Sequence, residues 1–76
     1  MTPNERMIVL RDRFASNSAA YQRISENFVE VAKAFRDMGD EMNAESCTNH
    51  AAVASIEADT NRRISATFGA KVTSNG

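Results

Sequence analysis

A single heptad register of apolar residues extends along this chain from Met7 to Met42. Steps of three and four residues in alternation meet an apolar or aromatic residue at every position except Asn17. The positions are Met7, Leu10, Phe14, Asn17, Tyr21, Ile24, Phe28, Val31, Phe35, Met38 and Met42. A spacing that averages about 3.5 residues keeps a stripe on one side of a helix and lets that helix wind around a partner. The register therefore predicts a long amphipathic helix that associates through this stripe.

The start of this helix is marked by a capping sequence. Thr2 is a candidate N-cap, Pro3 suits the first helical position, and Glu5 is placed to complete a capping box. The end is predicted between residues 38 and 43. Gly39 is a candidate left-handed cap within that range, with Asp40 opening the next element.

A second helix is predicted after a turn at residues 43–49, which are small and mostly polar. Ser46 or Thr48 would cap it, and Gly69 would end it. Its apolar stripe is Val53, Ile56, Thr60, Ile64 and Phe68. The opposite side carries three alanines thin enough for a close helix approach, namely Ala51, Ala54 and Ala58.

The predicted fold class is all-α. A long N-terminal heptad helix and a shorter antiparallel second helix form an αα-hairpin, and hairpins assemble into a helical bundle or coiled coil. Residues 1–69 form a single helical domain, and residues 70–76 form a flexible C-terminal tail.

A turn near residue 45 would place residue i of the first helix opposite residue 90 − i of the second. The shorter second helix would then leave the first turns of the first helix uncovered. The predicted protein-binding surface is therefore Met7, Leu10 and Phe14, with Arg11 and Arg13 as a basic rim. The predicted oligomer core is the rest of the register: Asn17, Tyr21, Ile24, Phe28, Val31, Phe35 and Met38.

The direction of helix pairing in the oligomer has two interpretations. Asn17 favours a parallel pair, in which it would meet its own copy. The charges favour an antiparallel pair, because residues 24–45 carry a balance of −4 and the flanking segments are mildly basic. The charge pattern involves more residues and receives more weight.

Composition argues against several classes of function. The 76 residues have a net charge of −1, whereas nucleic-acid-binding modules usually have a basic domain. Cys47 and His50 have the spacing of two metal ligands, and a dimer could bring two such pairs together as a Cys2His2 zinc site, but two ligands per chain are too few to favour it. No residue group resembles a nucleophile with its base and oxyanion hole. We therefore expect no enzyme activity, no metal and no cofactor.

The favoured function is a small non-enzymatic protein–protein interaction module, an adaptor or an inhibitor that docks a helical surface on a larger target. The partners expected are a second copy of the chain or more copies, and a protein target. The alternative is a ligand-binding helical oligomer that recognises RNA or a small anionic, nucleotide-like ligand through Arg and Tyr side chains at the subunit interface. A single cysteine and the lack of an apolar run of about 20 residues indicate the cytoplasm of a bacterium or of an infected host cell, with no membrane partner.

Overall fold

Two antiparallel helices of equal length form the chain in the computed structural model. It describes the backbone of residues 1–75 and the side chains of residues 1–72. Helix α1 spans Pro3–Asp37 and helix α2 spans Glu41–Asn75. The hairpin is thin and long, with extents of 55 × 15 × 13 Å. The predicted all-α hairpin is confirmed, although α2 is as long as α1, at 35 residues each, and not shorter.

The capping box predicted at the start of α1 is present. The Thr2 hydroxyl accepts a hydrogen bond of 3.1 Å from the Glu5 N–H, and the Glu5 carboxylate accepts one of 3.3 Å from the Thr2 N–H. Pro3 occupies the first helical position, where its missing N–H has no intrahelical partner to lose. The local sequence therefore determines where α1 begins.

The turn between the helices is shorter and earlier than the predicted turn at residues 43–49. Gly39 has a φ of +78°, the left-handed conformation that favours glycine. The Gly39 N–H donates to the Arg36 carbonyl (3.0 Å), and the Asp40 N–H donates to the Phe35 carbonyl (2.8 Å), which is a Schellman motif. These bonds end α1 at Asp37 and reverse the chain within three residues.

Asp40 also begins α2. Its carboxylate accepts a bond of 3.1 Å from the Asn43 N–H and one of 2.7 Å from the Asn43 side-chain amide. Both bonds favour the charged carboxylate, so the Asn43 side chain first and its backbone N–H second lower the pKa of Asp40. The caps predicted at Ser46 and Thr48 are wrong, since both residues lie inside α2.

The earlier turn changes which residues face each other across the hairpin. Ser18 donates to the Ala58 carbonyl (2.7 Å), Ser25 donates to the Ala51 carbonyl (2.9 Å), and Ser65 donates to the Arg11 carbonyl (2.7 Å). The residue numbers of each pair add up to 76, so residue i faces residue 76 − i. The predicted 90 − i pairing is wrong because the chain reverses at Gly39 and not near residue 45.

These three serine bonds recur once per heptad and show how closely the helices approach. A side-chain hydroxyl reaches the backbone of the opposite helix only where the facing side chains are small. Alanines of α2 supply that small surface, and the buried apolar residues of the hairpin are Ala32, Ala44, Ala51, Ala54 and Ala58. The alanine side of α2 therefore packs on α1, as the sequence suggested it could.

The end of α2 also differs from expectation. Gly69 is not a C-cap but lies within the helix, where a Cβ added to it would lie 3.5 Å from the Arg11 side chain. The helix continues through residues 70–75, where the sequence predicted a flexible tail. Gly76, the last residue of that predicted tail, lies outside the described residues.

The two glycines give opposite expectations for replacement by alanine. Gly39→Ala should destabilise the hairpin by about 1–2 kcal/mol, the cost of a Cβ in the left-handed region. No atom beyond the two neighbouring residues lies within 4 Å of the added methyl, so this cost is conformational and not a clash with the rest of the hairpin. Gly69→Ala should leave the hairpin as stable or stabilise it by about 0.5–1 kcal/mol, because alanine favours a helix interior.

Urea unfolding followed by circular dichroism measures both changes. Gly39→Asn is the matched variant. It should lose less stability than Gly39→Ala, because asparagine tolerates the left-handed region better than alanine does. Equal stability of the alanine variants at residues 39 and 69 would contradict the Schellman turn.

Candidate functional site

The two sides of the hairpin differ in chemistry, and one of them is apolar. On this side a groove of about 590 Å³ runs between the helices. Its lining residues are Phe14, Asn17, Ala20, Tyr21 and Ile24 of α1, and Glu57, Thr60, Asn61 and Ile64 of α2. We define the aromatic face as the large apolar side chains on this side: Phe14, Tyr21, Ile24, Phe28 and Val31 of α1, with Ile64 and Phe68 of α2.

Ring contacts across the hairpin position the aromatic face. The Phe14 ring stacks on Phe68 with centroids 6.3 Å apart, and the Phe28 ring stacks on His50 with centroids 5.2 Å apart. Offset stacking at these distances is favourable for aromatic pairs. The rings are thus held at the edge of the helix contact and not inside it, because the alanines and serines occupy the space between the helices.

The aromatic face is incompletely covered by the chain itself. No large side chain among the described residues is fully buried, and the buried positions are alanines together with Asn61. Ile24 is 42% exposed, Val31 is 43% exposed, and Val53, which lies one heptad before the groove residue Thr60, is 58% exposed. A contiguous apolar surface of this kind typically marks an interaction site.

The other side of the hairpin is polar. A smaller cleft there is lined by Ser18, Gln22, Ser55, Ala58, Asp59 and Arg62. Asp59 forms ion pairs with Arg62 and with Arg63, the latter at 2.9 Å. The hydrogen bond from Arg62 is the main cause that lowers the pKa of Asp59, and the charge of Arg63 adds to it. Most of this side is polar, although Val29, one heptad after Gln22, is 42% exposed.

The structure divides the predicted oligomer core into two columns. Tyr21, Phe28 and Phe35 are half-buried against α2, one heptad apart. Ile24, Val31 and Met38 form the second column and are exposed. Asn17 belongs to this outer column and is exposed in the groove, beside Glu57, Thr60 and Asn61 of α2. Burial of these columns by another chain remains a prediction.

The premise of the predicted protein-binding surface is wrong, because α2 covers the start of α1. Phe14 stacks on Phe68. The Arg11 side chain packs near Gly69, 3.5 Å from where a Cβ would be, and pairs with Asp12 at 2.9 Å. Met7 and Leu10 are half-buried, and only Arg13 of the five predicted residues is exposed. This segment was predicted to lie beyond α2 because the turn was predicted too late in the chain.

The ion pairs among the described side chains form within one helix or across the turn. Lys33 pairs with Glu30 on its own helix at 3.2 Å, and both arginines at 62 and 63 pair with Asp59. Arg36 spans the turn instead, at 3.8 Å from Glu41 and 3.1 Å from the Thr48 hydroxyl. Exposed pairs of this type contribute only about 0–1 kcal/mol each.

Cys47 and His50 do not form a metal site with other residues. Cys47 is half-buried, while the exposed His50 ring lies against Phe28. Within the described part of the chain, no group of three or more His, Cys, Asp or Glu residues is arranged to hold a metal ion.

Four residues at the helix contact were not predicted, namely the cross-bonding Ser18, Ser25 and Ser65 and the buried Asn61. Asn61 donates from its side-chain amide to the Glu57 carbonyl at 2.8 Å, which satisfies it inside its own helix. A signal was present: Ser18 and Ser25 lie one heptad apart, as do Ala44, Ala51, Ala58 and Ser65. Small residues in a heptad column indicate close packing as surely as large ones indicate a stripe.

Comparison with known proteins adds no identification. No family model, no curated protein and no solved structure matches this chain. Of the two helices as described, neither is apolar over a sufficient length to cross a membrane.

Proposed function

We propose that this chain is a small non-enzymatic protein–protein interaction module, of the kind that adaptors and small inhibitors represent, and that it acts by docking its aromatic face on helices of another polypeptide. The single observation that carries this proposal is the distribution of burial. The hairpin buries alanines and leaves large apolar side chains at its surface, among them Ile24 and Val31 of the aromatic face and Val53 next to it. The one thiol, Cys47, suits a reducing cytoplasm.

Energetics support a protein partner for this face. Each square ångström of apolar surface removed from water contributes about 25 cal/mol. Five buried alanines give the isolated hairpin little of this free energy. A helical partner that covered Ile24, Val31 and the rings beside them would bury apolar area that the hairpin alone leaves in water, and would add the corresponding free energy. Helix-in-groove docking is a common use of such a surface.

A small anionic ligand fits this groove less well. Tyr21 lines it, but so does the Glu57 carboxylate, and none of its lining residues is Arg or Lys. RNA is likewise less favoured, because Arg11, Arg62 and Arg63 are each paired with an aspartate. The groove itself therefore lacks the cation that an anionic ligand requires, and three of the arginines are engaged by carboxylates.

Site-specific photocrosslinking in cells that make the protein tests the proposal. A benzoylphenylalanine at residue 24 or 31 places the reactive group on the aromatic face, and the same group at residue 19 places it on an exposed position of α1 away from the groove. We expect discrete protein adducts from the first two positions and none from the third. The absence of adducts at both positions 24 and 31 would overturn the proposal.

A further inference from the structure

We infer that a second copy of this chain covers the aromatic face, in an antiparallel four-helix bundle with its two-fold axis near Tyr21. This inference rests on the proposed function, because it names the partner of the same face. Three observations support it: the excess exposed area, the shape of the hairpin, and the distribution of charge along it.

The exposed area is what one half of a stable dimer would have. The chain exposes 5328 Å². A compact monomer of 8.3 kDa would expose only about 4,600 Å². The excess, on the order of 700 Å², is close to the roughly 800 Å² that each partner buries in a standard interface.

The shape of the hairpin explains this excess and indicates how a copy would remove it. Two helices make a single layer of 15 × 13 Å in cross-section. A second hairpin stacked on the aromatic face doubles the layer and encloses the rings between four helices. That arrangement is a four-helix bundle, in which facing helices are close to antiparallel.

Charge is separated along the length of the hairpin. The half that contains the turn, residues 20–56, carries six acidic residues and three basic ones, a balance of −3. The open half, residues 1–19 and 57–76, carries six basic residues and four acidic ones, a balance of +2. Two copies therefore attract each other when their turns lie at opposite ends.

Two different two-fold axes would bring the aromatic faces together, and the charges distinguish them. An axis perpendicular to the helices near Tyr21 puts the turns at opposite ends and lays α1 on α1 of the copy. Arg13 of one copy then lies within about one residue rise, 1.5 Å along the bundle, of the height of Glu30 of the second copy. Arg6 and Asp37 of the second copy match equally well. Asp12 is level with Glu30 of the second copy and Arg36 with its Arg6, but Asp12 and Arg36 are engaged within their own chain by Arg11 and Glu41.

An axis parallel to the helices instead puts both turns at one end and lays α1 on α2 of the copy. Under the observed 76 − i pairing, Arg13 then lies at the height of Arg63 of the second copy. Glu30 similarly lies near the height of Glu45. This axis also stacks the two acidic turn halves on each other and the two basic open halves on each other, so it is disfavoured.

The dimer with the perpendicular axis also gives the groove residue Glu57 a partner. Glu57 lies about 5 Å along the bundle from the height of His50 of the second copy, at about 1.5 Å per residue. His50 is exposed and borders the aromatic face through its contact with Phe28. A neighbouring imidazole is a suitable partner for a carboxylate at an interface.

Sedimentation of the purified full chain over a hundredfold dilution tests the assembly. We expect twice the mass of the chain at high concentration and dissociation on dilution. Ile24→Asp should abolish the dimer while the helical circular dichroism is kept, because Ile24 is 42% exposed in the hairpin. Ala19→Asp, on the side of α1 away from the groove, is the matched control and should still dimerise.

The orientation is tested by the distance between two spin labels. Met42 is 83% exposed near the turn, so Met42→Cys in a Cys47→Ala background gives one label per chain. The perpendicular axis places the two labels about 40 Å apart along the bundle, from 13 residues of rise on each side of the axis. A distance under about 25 Å would indicate turns at the same end and would overturn the antiparallel arrangement.

Charge exchange tests the predicted register. Arg13→Glu alone and Glu30→Arg alone should each weaken dimerisation about tenfold, because every pair occurs twice in the dimer. The double variant should restore it. Failure of the double variant to recover would contradict the alignment at Tyr21.

The results also separate this inference from the proposed function. A chain that stays monomeric at all concentrations overturns the second copy as partner. If position 24 nevertheless crosslinks to another protein in cells, the interaction module stands with a different partner. A monomer with no adduct at position 24 or 31 overturns both.

Discussion

Ala58→Leu is expected to destabilise the hairpin by roughly 2–4 kcal/mol. Overpacking a tight contact costs about 1–3 kcal/mol. The bond from the Ser18 hydroxyl to the Ala58 carbonyl, 2.7 Å long, exists only at the present helix separation, and its loss would add about 1 kcal/mol. A chain of 76 residues has a total stability of only about 4–11 kcal/mol. The change would therefore consume a large part of it.

The matched control for this variant is the same substitution on the outer side of α2. Ala52→Leu adds the same side chain at an exposed position of the same helix. Its effect on the free energy of unfolding should stay within about 0.5 kcal/mol, as is usual for surface changes. Urea unfolding compares the two variants, and similar midpoints would show that the alanine column does not set the helix separation.

Phe28→Ala is expected to cost about 3 kcal/mol, the lower end of the range for removing a large core aromatic. The lower end applies because the ring is half-buried in the hairpin, where it stacks on His50 at 5.2 Å. Thermal and urea unfolding measure this loss. A larger loss at concentrations where the dimer forms would follow from cover by the second copy.

Lys33→Ala is the control for Phe28→Ala. Lys33 is exposed on the same helix and pairs only with Glu30, at 3.2 Å. Its removal should change the stability by less than about 1 kcal/mol. If both variants melted at the same temperature, the aromatic face would contribute nothing to stability.

Much of the local structure was determined by the sequence itself. The capping box at Thr2 and the heptad register predicted the start of α1 and its continuity through the polar position Asn17, and both are observed. These features depend on residues within one or two turns of each other. Local hydrogen bonds and helical periodicity suffice to predict them.

The turn was predicted too late in the chain for a physical reason. The sequence offers two candidates, Gly39-Asp40 and the polar residues 43–49. Weak helix propensity in the second segment suggested a turn there, but propensity differences are small beside packing. Ala44 and Cys47 of that segment pack on α1, and the Schellman bonds at Gly39 already reverse the chain.

The sequence by itself determined that this protein is a helical hairpin with one apolar register, because periodicity, capping and glycine placement are local. Only the tertiary structure decided which side of α2 meets α1. The larger stripe of α2 would bury more apolar area, but the alanine side permits the closest approach and lets Ser18, Ser25 and Ser65 bond to the opposite backbone. That choice leaves the aromatic face outside, because two helices in close contact have no room between them for rings.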